Sequence, residues 1–239
     1  MIDDGFLERL QGYLPILGSA ILTTIGLAVA IAVLASLLGI GLAVITPERG
    51  WFRKVIDAYI HVGRAIPVLV QLFAWYYVLP QFGVVLPAMV AGVLAISFAY
   101  CPYLAEVFRA GILAVEPGQR EAAQVLGLSP ARTWFRVILP QAIRNVLPIW
   151  TSYLVSIFKD TSLFSFIAVP ELFGAAKAIA ALNFRYVELF ALVAVGYLAL
   201  GLPVVALLRR LERRMDRGQA KVARSVPRLL GGLTWGPRK

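Results

Sequence analysis

The sequence is poor in charge, in histidine and in cysteine. Only 15% of its 239 residues are charged, while 60% are hydrophobic; soluble domains carry about 25% charged residues. That balance excludes a water-soluble globule, and the same apolar excess excludes a disordered chain. The lone cysteine, Cys101, forms no internal disulfide, and the lone histidine, His61, builds no metal site unaided. No His/Asp/Glu cluster or nucleophile–base pair marks a catalytic centre. No Gly-Lys dipeptide occurs, so the chain has no phosphate-binding loop of the G-x-x-x-x-G-K-[ST] type. The net charge of +10 is not spread along the chain: residues 209–239 hold ten Lys/Arg against two Asp/Glu. It therefore describes a basic tail and not a nucleic-acid-binding surface. With a mean hydropathy of +0.79, the composition is that of an all-α integral membrane protein.

A bilayer core takes about 20 apolar residues per helix. Residues 10–47 are uncharged and give a first span centred on 17–45. Residues 65–105 are a second uncharged stretch of 41 residues, long enough for two helices. Pro80, Gly83 and Pro87 break it, which predicts spans near 60–79 and 86–105. A fourth span near 146–168 would carry Lys159 and Asp160 inside it, and 189–208 makes a fifth. The resulting expectation is one transmembrane domain over 1–239, with a core at about 18–210 and a basic cytoplasmic tail at 211–239.

Lysine and arginine near span ends set orientation. The 46–64 connection has four, the 106–145 segment five, and the tail ten, whereas the 80–86 turn has none and 169–186 only Lys177 and Arg185. The amino terminus is thus expected outside and the carboxyl terminus inside, with the tail against an anionic inner leaflet. The acidic first ten residues and the long apolar run that follows do not fit a cleavable signal peptide. Two rows of small residues, Ala28/Ala32/Ser36 and Ala35/Gly39/Ala43, recur every four positions along the first span and suit close helix packing.

About 40 residues separate the third and fourth spans where a minimal bundle needs only a few. Residues 118–127 read as a short helix, with Glu121 in its first turn and Gly127 ending it. A second helix starts at Ser129-Pro130 and is expected to run to Pro140. A structured helical pair at a membrane face is a docking surface more often than a connector.

Glu121-Ala122-Ala123, three residues, Gly127, nine residues and Val137-Ile138-Leu139-Pro140 resemble the EAA loop of ABC-importer permeases, with valine where that pattern has isoleucine. Tyr103-Leu104-Ala105-Glu106-Val107-Phe108-Arg109-Ala110-Gly111, Glu116-Pro117-Gly118-Gln119 and Lys159-Asp160-Thr161-Ser162-Leu163 are similar to the polar amino-acid branch of that family. Arg64-Ala65-Ile66-Pro67-Val68-Leu69-Val70-Gln71 resembles its Arg-Gly-Thr-Pro-Leu stretch, but Ala65 and Ile66 replace glycine and threonine. The resemblance implies five transmembrane helices with a cytoplasmic coupling helix between the third and fourth. It implies a dimer of cytoplasmic ABC ATPases docked on Gly118, Gln119, Glu121, Ala122, Ala123, Gly127, Leu139 and Pro140, and it puts ATP and magnesium on that partner. It further implies a second permease subunit, identical or homologous, and an external solute-binding protein. The setting it implies is the bacterial inner membrane.

The remaining site expectations rest on charge. Intramembrane ions usually face a cavity, so Lys159 and Asp160, with the hydroxyls of Thr161 and Ser162, are expected to line an amino-acid path. Asp160 would meet the ammonium and Lys159 the carboxylate. Snorkelling of Lys159 beside a capping Asp-Thr-Ser is the structural alternative. Glu106 and Arg109, three apart, read as a helix-surface ion pair and a candidate gate. His61 is expected to be inert, Cys101 a small core residue, and Trp51 and Trp150 interfacial anchors. A rival reading is a secondary transporter of small zwitterions driven by an ion gradient, though no half-to-half repeat supports it.

Overall fold

The computed structural model describes residues 6–47 and 49–225; the last residues of the expected basic tail, 226–239, lie outside the described residues. Among the described residues every regular element is helical. Helix α1 spans Phe6–Ile45, α2 Trp51–Ala65, α3 Val68–Phe73, α4 Ala88–Leu113 and α5 Pro117–Val125. A short α6, Pro130–Thr133, leads into α7, Leu139–Asp160, followed by α8, Leu172–Asn183, and α9, Tyr186–Ser225. Three helices are long and apolar enough to cross a membrane alone: Glu8–Ile45, Ala88–Leu113 and Tyr186–Leu211. Two bent pairs bring the number to as many as five.

The expected span near 60–79 is one of those bent pairs. Trp51–Ala65 and Val68–Phe82 meet at 103°. Pro67 causes the break: it forces Ile66 out of the helical region, to φ −91° and ψ 126°. Gln71 compensates, its Nε2 donating to the carbonyls of Gly63 at 2.9 Å and Ile66 at 3.0 Å. Carbonyls freed within a membrane need such a partner. The turn after it closes at Gly83, whose φ of 82° suits glycine.

The second departure lies between Ser129 and Asn183. Ser129 caps as its position predicts, its Oγ accepting from Arg132 N. The helix does not stop at Pro140. It passes through a π turn, Trp134–Ile138, directly into α7, and the widened turn before Pro140 accommodates its ring and missing N–H, which would break a regular α-helical ladder. Beyond Asp160 the chain tightens into a 3-10 segment, Thr161–Ile167. The stretch expected as an outer connection, 169–186, then folds into α8, with Leu172, Ala175, Ala176 and Ala180 buried.

The core centres on α4, and α1 and α4 form the most extensive helix pair. Ala35, Gly39 and Ala43 are the row of α1 that meets α4: a Cβ at Gly39 would lie 2.7 Å from Leu104 Cβ. The other row contributes Ser36, whose Oγ accepts from Trp150 Nε1 at 2.9 Å. Trp150, half-buried, thus joins α7 to α1. Gly63 meets Pro102, Gly92 meets the Phe164 ring, and Gly111 meets Val146, so α4 accepts its neighbours at backbone distance.

Candidate functional sites

The chain offers an exposed helix and a polar–aromatic face. The exposed helix is α5. Its end is a Schellman arrangement: Leu128 N donates to Ala123 O at 3.0 Å and Gly127 N to Gln124 O at 2.9 Å, with Gly127 left-handed at φ 71°. The helix begins at Pro117, which puts Glu121 in the second turn and not the first. Gly118, Gln119, Glu121 and Ala122 are exposed, whereas Ala123 is buried and packs inward. Val125 and Leu126 present 87% and 78% of their surface, an apolar tip on an otherwise polar helix. Gln141 Nε2 donates to Gln119 Oε1 at 3.3 Å, tying α5 to the start of α7. Leu139 and Pro140 are half-buried, and Leu139 lines an apolar groove beside Trp134 and Phe108.

Lys159 and Asp160 diverge, as neighbours on a helix must. Asp160 accepts from Tyr100 Oη at 2.7 Å. Around that bond Tyr100, Tyr103 and Tyr153 form a cluster with ring centroids 5.6–6.2 Å apart. Sequence reasoning passed over these tyrosines, although Tyr100 and Tyr103 share one face of α4 and Tyr153 lies seven residues before Asp160 on α7. Lys159 points elsewhere, into a groove of about 360 Å³ between α7 and α9 that Ser152, Ser156 and Arg209 also line. Among the described residues neither the Lys159 nor the Arg209 side chain has a hydrogen bond or ion pair. Thr161 is fully buried and bonds Phe158 O at 2.8 Å; Ser162 is half-buried and bonds Lys159 O at 2.9 Å. The four residues expected to line one path thus fall on different faces.

Glu106 and Arg109 do not pair with each other. Glu106 pairs with Arg64 across the α2–α4 contact, and Arg64 Cζ lies 5.3 Å over the Tyr103 ring. Arg109 donates instead to Thr46 O at 3.3 Å. Cys101 is buried, as expected of a small core residue.

Near the α8 start, Glu171 is fully buried. Its carboxylate accepts from Phe173 N at 2.9 Å, Gly174 N at 2.6 Å and Tyr197 Oη at 2.8 Å. The next free amide, Leu172 N, donates to Thr24 Oγ1 at 3.0 Å. This network fastens α8 to α1 and α9.

Small-residue packing, a broken span and an exposed helix between membrane-length elements define a helical component of a membrane assembly. A family model described as "Binding-protein-dependent transport system inner membrane component" matches residues 35–217. The chain belongs to that family. It is 42% identical over 208 residues to the "Probable amino-acid ABC transporter permease protein y4tG" of Sinorhizobium fredii, covering 85% of this chain and 89% of that one. It is 37% identical to the L-cystine transport system permease protein of Bacillus subtilis, covering 88% and 91%. Among solved structures, an amino acid ABC transporter with histidines matches at TM-score 0.81 and 36% identity, covering 90% of this chain and all of that one.

Proposed function

We propose that this chain is a permease subunit of an importer that carries amino acids across the bacterial inner membrane by ATP-driven alternating access. The observation that carries the proposal is the family match over 35–217, joined by relatives named for amino-acid transport. Five spans scarcely enclose a solute path, so the working unit has a second permease, identical or homologous, with two ATPases inside and a solute-binding protein outside. The positive-inside distribution supports an outer amino terminus and an inner carboxyl terminus.

The exposed residues of α5 dock in a cleft on the ATPase, Val125 and Leu126 adding apolar contact. ATP and magnesium belong to that partner. On the solute path, Asp160 among the tyrosines receives the ammonium group by charge and ring-face attraction. Lys159, on a separate face, draws the carboxylate at a different point of the path from Asp160. The Arg64–Glu106 pair gates the inner end of the path. What drives transport is a difference in how two conformations bind the solute.

The test is purification of the tagged chain from its native membrane in mild detergent, with bound proteins identified by mass spectrometry. A stoichiometric ATPase that is lost in the Glu121→Lys/Gly127→Val variant is expected. The chain emerging alone, under conditions that preserve such complexes, overturns ATP coupling and favours ion-gradient transport.

A further inference from the structure

Helix α2 lies across the bundle and not along it. It turns 103° away from Val68–Phe82, so where that segment crosses the bilayer, α2 runs along the surface. The helix has three edges. Ile56 and Ile60 are buried against the protein. A second edge exposes Trp51, Val55, Tyr59 and Val62, the mixture of indole, phenol and aliphatic groups that settles at headgroup level. The third carries Arg53, Asp57 and His61, and it borders a cavity of about 310 Å³ shared with the end of α1 and the C-terminal half of α4. That volume corresponds to about ten waters.

Among the described residues at this cavity, three guanidinium groups (Arg53 and Arg109 in the lining, Arg64 beside it) face two carboxylates (Asp57 and Glu106). Arg53 Nε reaches both oxygens of Asp57, at 2.9 and 2.8 Å. Glu106 is held by Arg64. Both carboxylates in the lining are thereby occupied. Arg109, half-buried, has only the Thr46 carbonyl at 3.3 Å and no carboxylate among the described residues. The bond from His61 to Asp57 O, at 2.6 Å, uses Nδ1–H and leaves Nε2 as an acceptor, so His61 offers an anion no donor. A guanidinium partly removed from water, with most of its five donors unused, favours an anion that presents two oxygens to its fork.

We propose that this cavity binds the phosphate of an anionic phospholipid, with Arg109 as its principal contact and Arg53 at its rim. The lipid source follows from the setting. The cavity opens beside a helix whose other edge is built for the membrane surface, and a basic connection (Arg49, Arg53, Lys54, Arg64) draws anionic headgroups there. The site adjoins the inner end of the solute path, sharing Glu106 with it, and its occupant is a constituent of the membrane and not the transported solute.

The test uses the assembled complex in mixed detergent micelles supplied with phosphatidylglycerol and phosphatidylethanolamine, with retained lipid counted by native mass spectrometry. The wild type is expected to retain phosphatidylglycerol in preference to phosphatidylethanolamine. R109Q is expected to lower that retention about tenfold or more, as loss of a charge-assisted contact does. K54Q, outside the cavity lining, removes one surface charge of the connection and should lower retention far less than R109Q does. R109K keeps the charge for assembly but loses the planar fork, and a several-fold drop is expected for it as well. Equal retention of the two lipids, unchanged retention in R109K, or a K54Q effect as large as that of R109Q overturns the site. Displacement of the lipid by millimolar inorganic phosphate overturns the lipid source and points to a free anion.

Discussion

Helices α4 and α9 pose the same problem with opposite solutions. Ala88–Leu113 and Tyr186–Leu211 are both 26-residue stretches able to cross a bilayer, and the second is the more hydropathic. Yet 61% of the apolar stretch of α4 is buried, against 6% for α9. In water, burial would follow hydropathy. In lipid it does not, because acyl chains solvate leucine as well as a protein interior does. What draws α4 inward is its small and polar content: Ala91, Gly92, Ala95, Ser97 and Ala99 are all buried, and these residues let backbones approach. α9 leaves Val195, Leu198 and Leu202 exposed. Its polar attachments are Tyr197 on Glu171 and, at its start, Glu188 with Arg9 of α1 at 3.5 Å; the first is the more deeply buried.

That attachment offers the largest effect. Glu171→Ala strands two backbone amides and the Tyr197 hydroxyl in a buried place, at about 1–3 kcal/mol for each unmatched group. We expect thermal unfolding in detergent to drop steeply, with partial recovery in Glu171→Gln, whose carbonyl still accepts. A melting temperature unchanged by Glu171→Ala would mean that α9 does not depend on its Tyr197 anchor.

A matched pair of substitutions sharpens the comparison directly. Gly111→Ala on α4 drives a methyl into Val146 and to 3.2 Å from Ala142 O, whereas on α9 the Cβ of Gly201→Ala meets Phe158 at an ordinary 3.5 Å. The first should cost about 1–3 kcal/mol. The second should be neutral or gain up to about 1 kcal/mol from helix propensity. Equal melting temperatures for the two variants would break the distinction between the helices.

These contrasts also explain what was legible in the sequence. The uninterrupted runs of α1 and α9 announce themselves by hydropathy, and the cap at Ser129 and the stop at Gly127 follow from local chemistry. Tertiary events are not legible in that way. Pro67 could be read as a break, but the repair by Gln71 depends on the fold around it. Pro140 looks like a stop and is harmless, since the π turn before it accommodates its ring and missing N–H. The segment 169–186 looked like a loop because its charges are few and its helix is short; Glu171 and Thr24, 147 residues apart in sequence, together cap α8. The Glu106–Arg109 spacing fits a helix pair, yet Arg64 arrives from α2 and takes the carboxylate. Lys159 and Asp160 stand out as charges in an apolar run, but the tyrosines that give Asp160 its surroundings come from α4 and an earlier turn of α7.

The smallest effect belongs to that last cluster. Tyr100→Phe removes the hydroxyl that donates to Asp160 at 2.7 Å and keeps the ring. The loss should be about 1 kcal/mol in stability. If Asp160 receives the ammonium group, half-saturation of uptake should shift several-fold while ATPase binding stays intact. A variant that alters ATPase binding and leaves uptake affinity untouched would assign Tyr100 to packing alone.

The central claim is tested most directly by uptake into proteoliposomes. The full complex is reconstituted with its binding protein, and entry of labelled amino acid is followed with and without ATP, for the wild type and for the Lys159→Gln/Asp160→Asn double variant. Entry that requires both ATP and the binding protein, and that is lost in the double variant while the ATPase remains bound, is the predicted result. Entry without ATP, driven by an imposed ion gradient, would contradict the account.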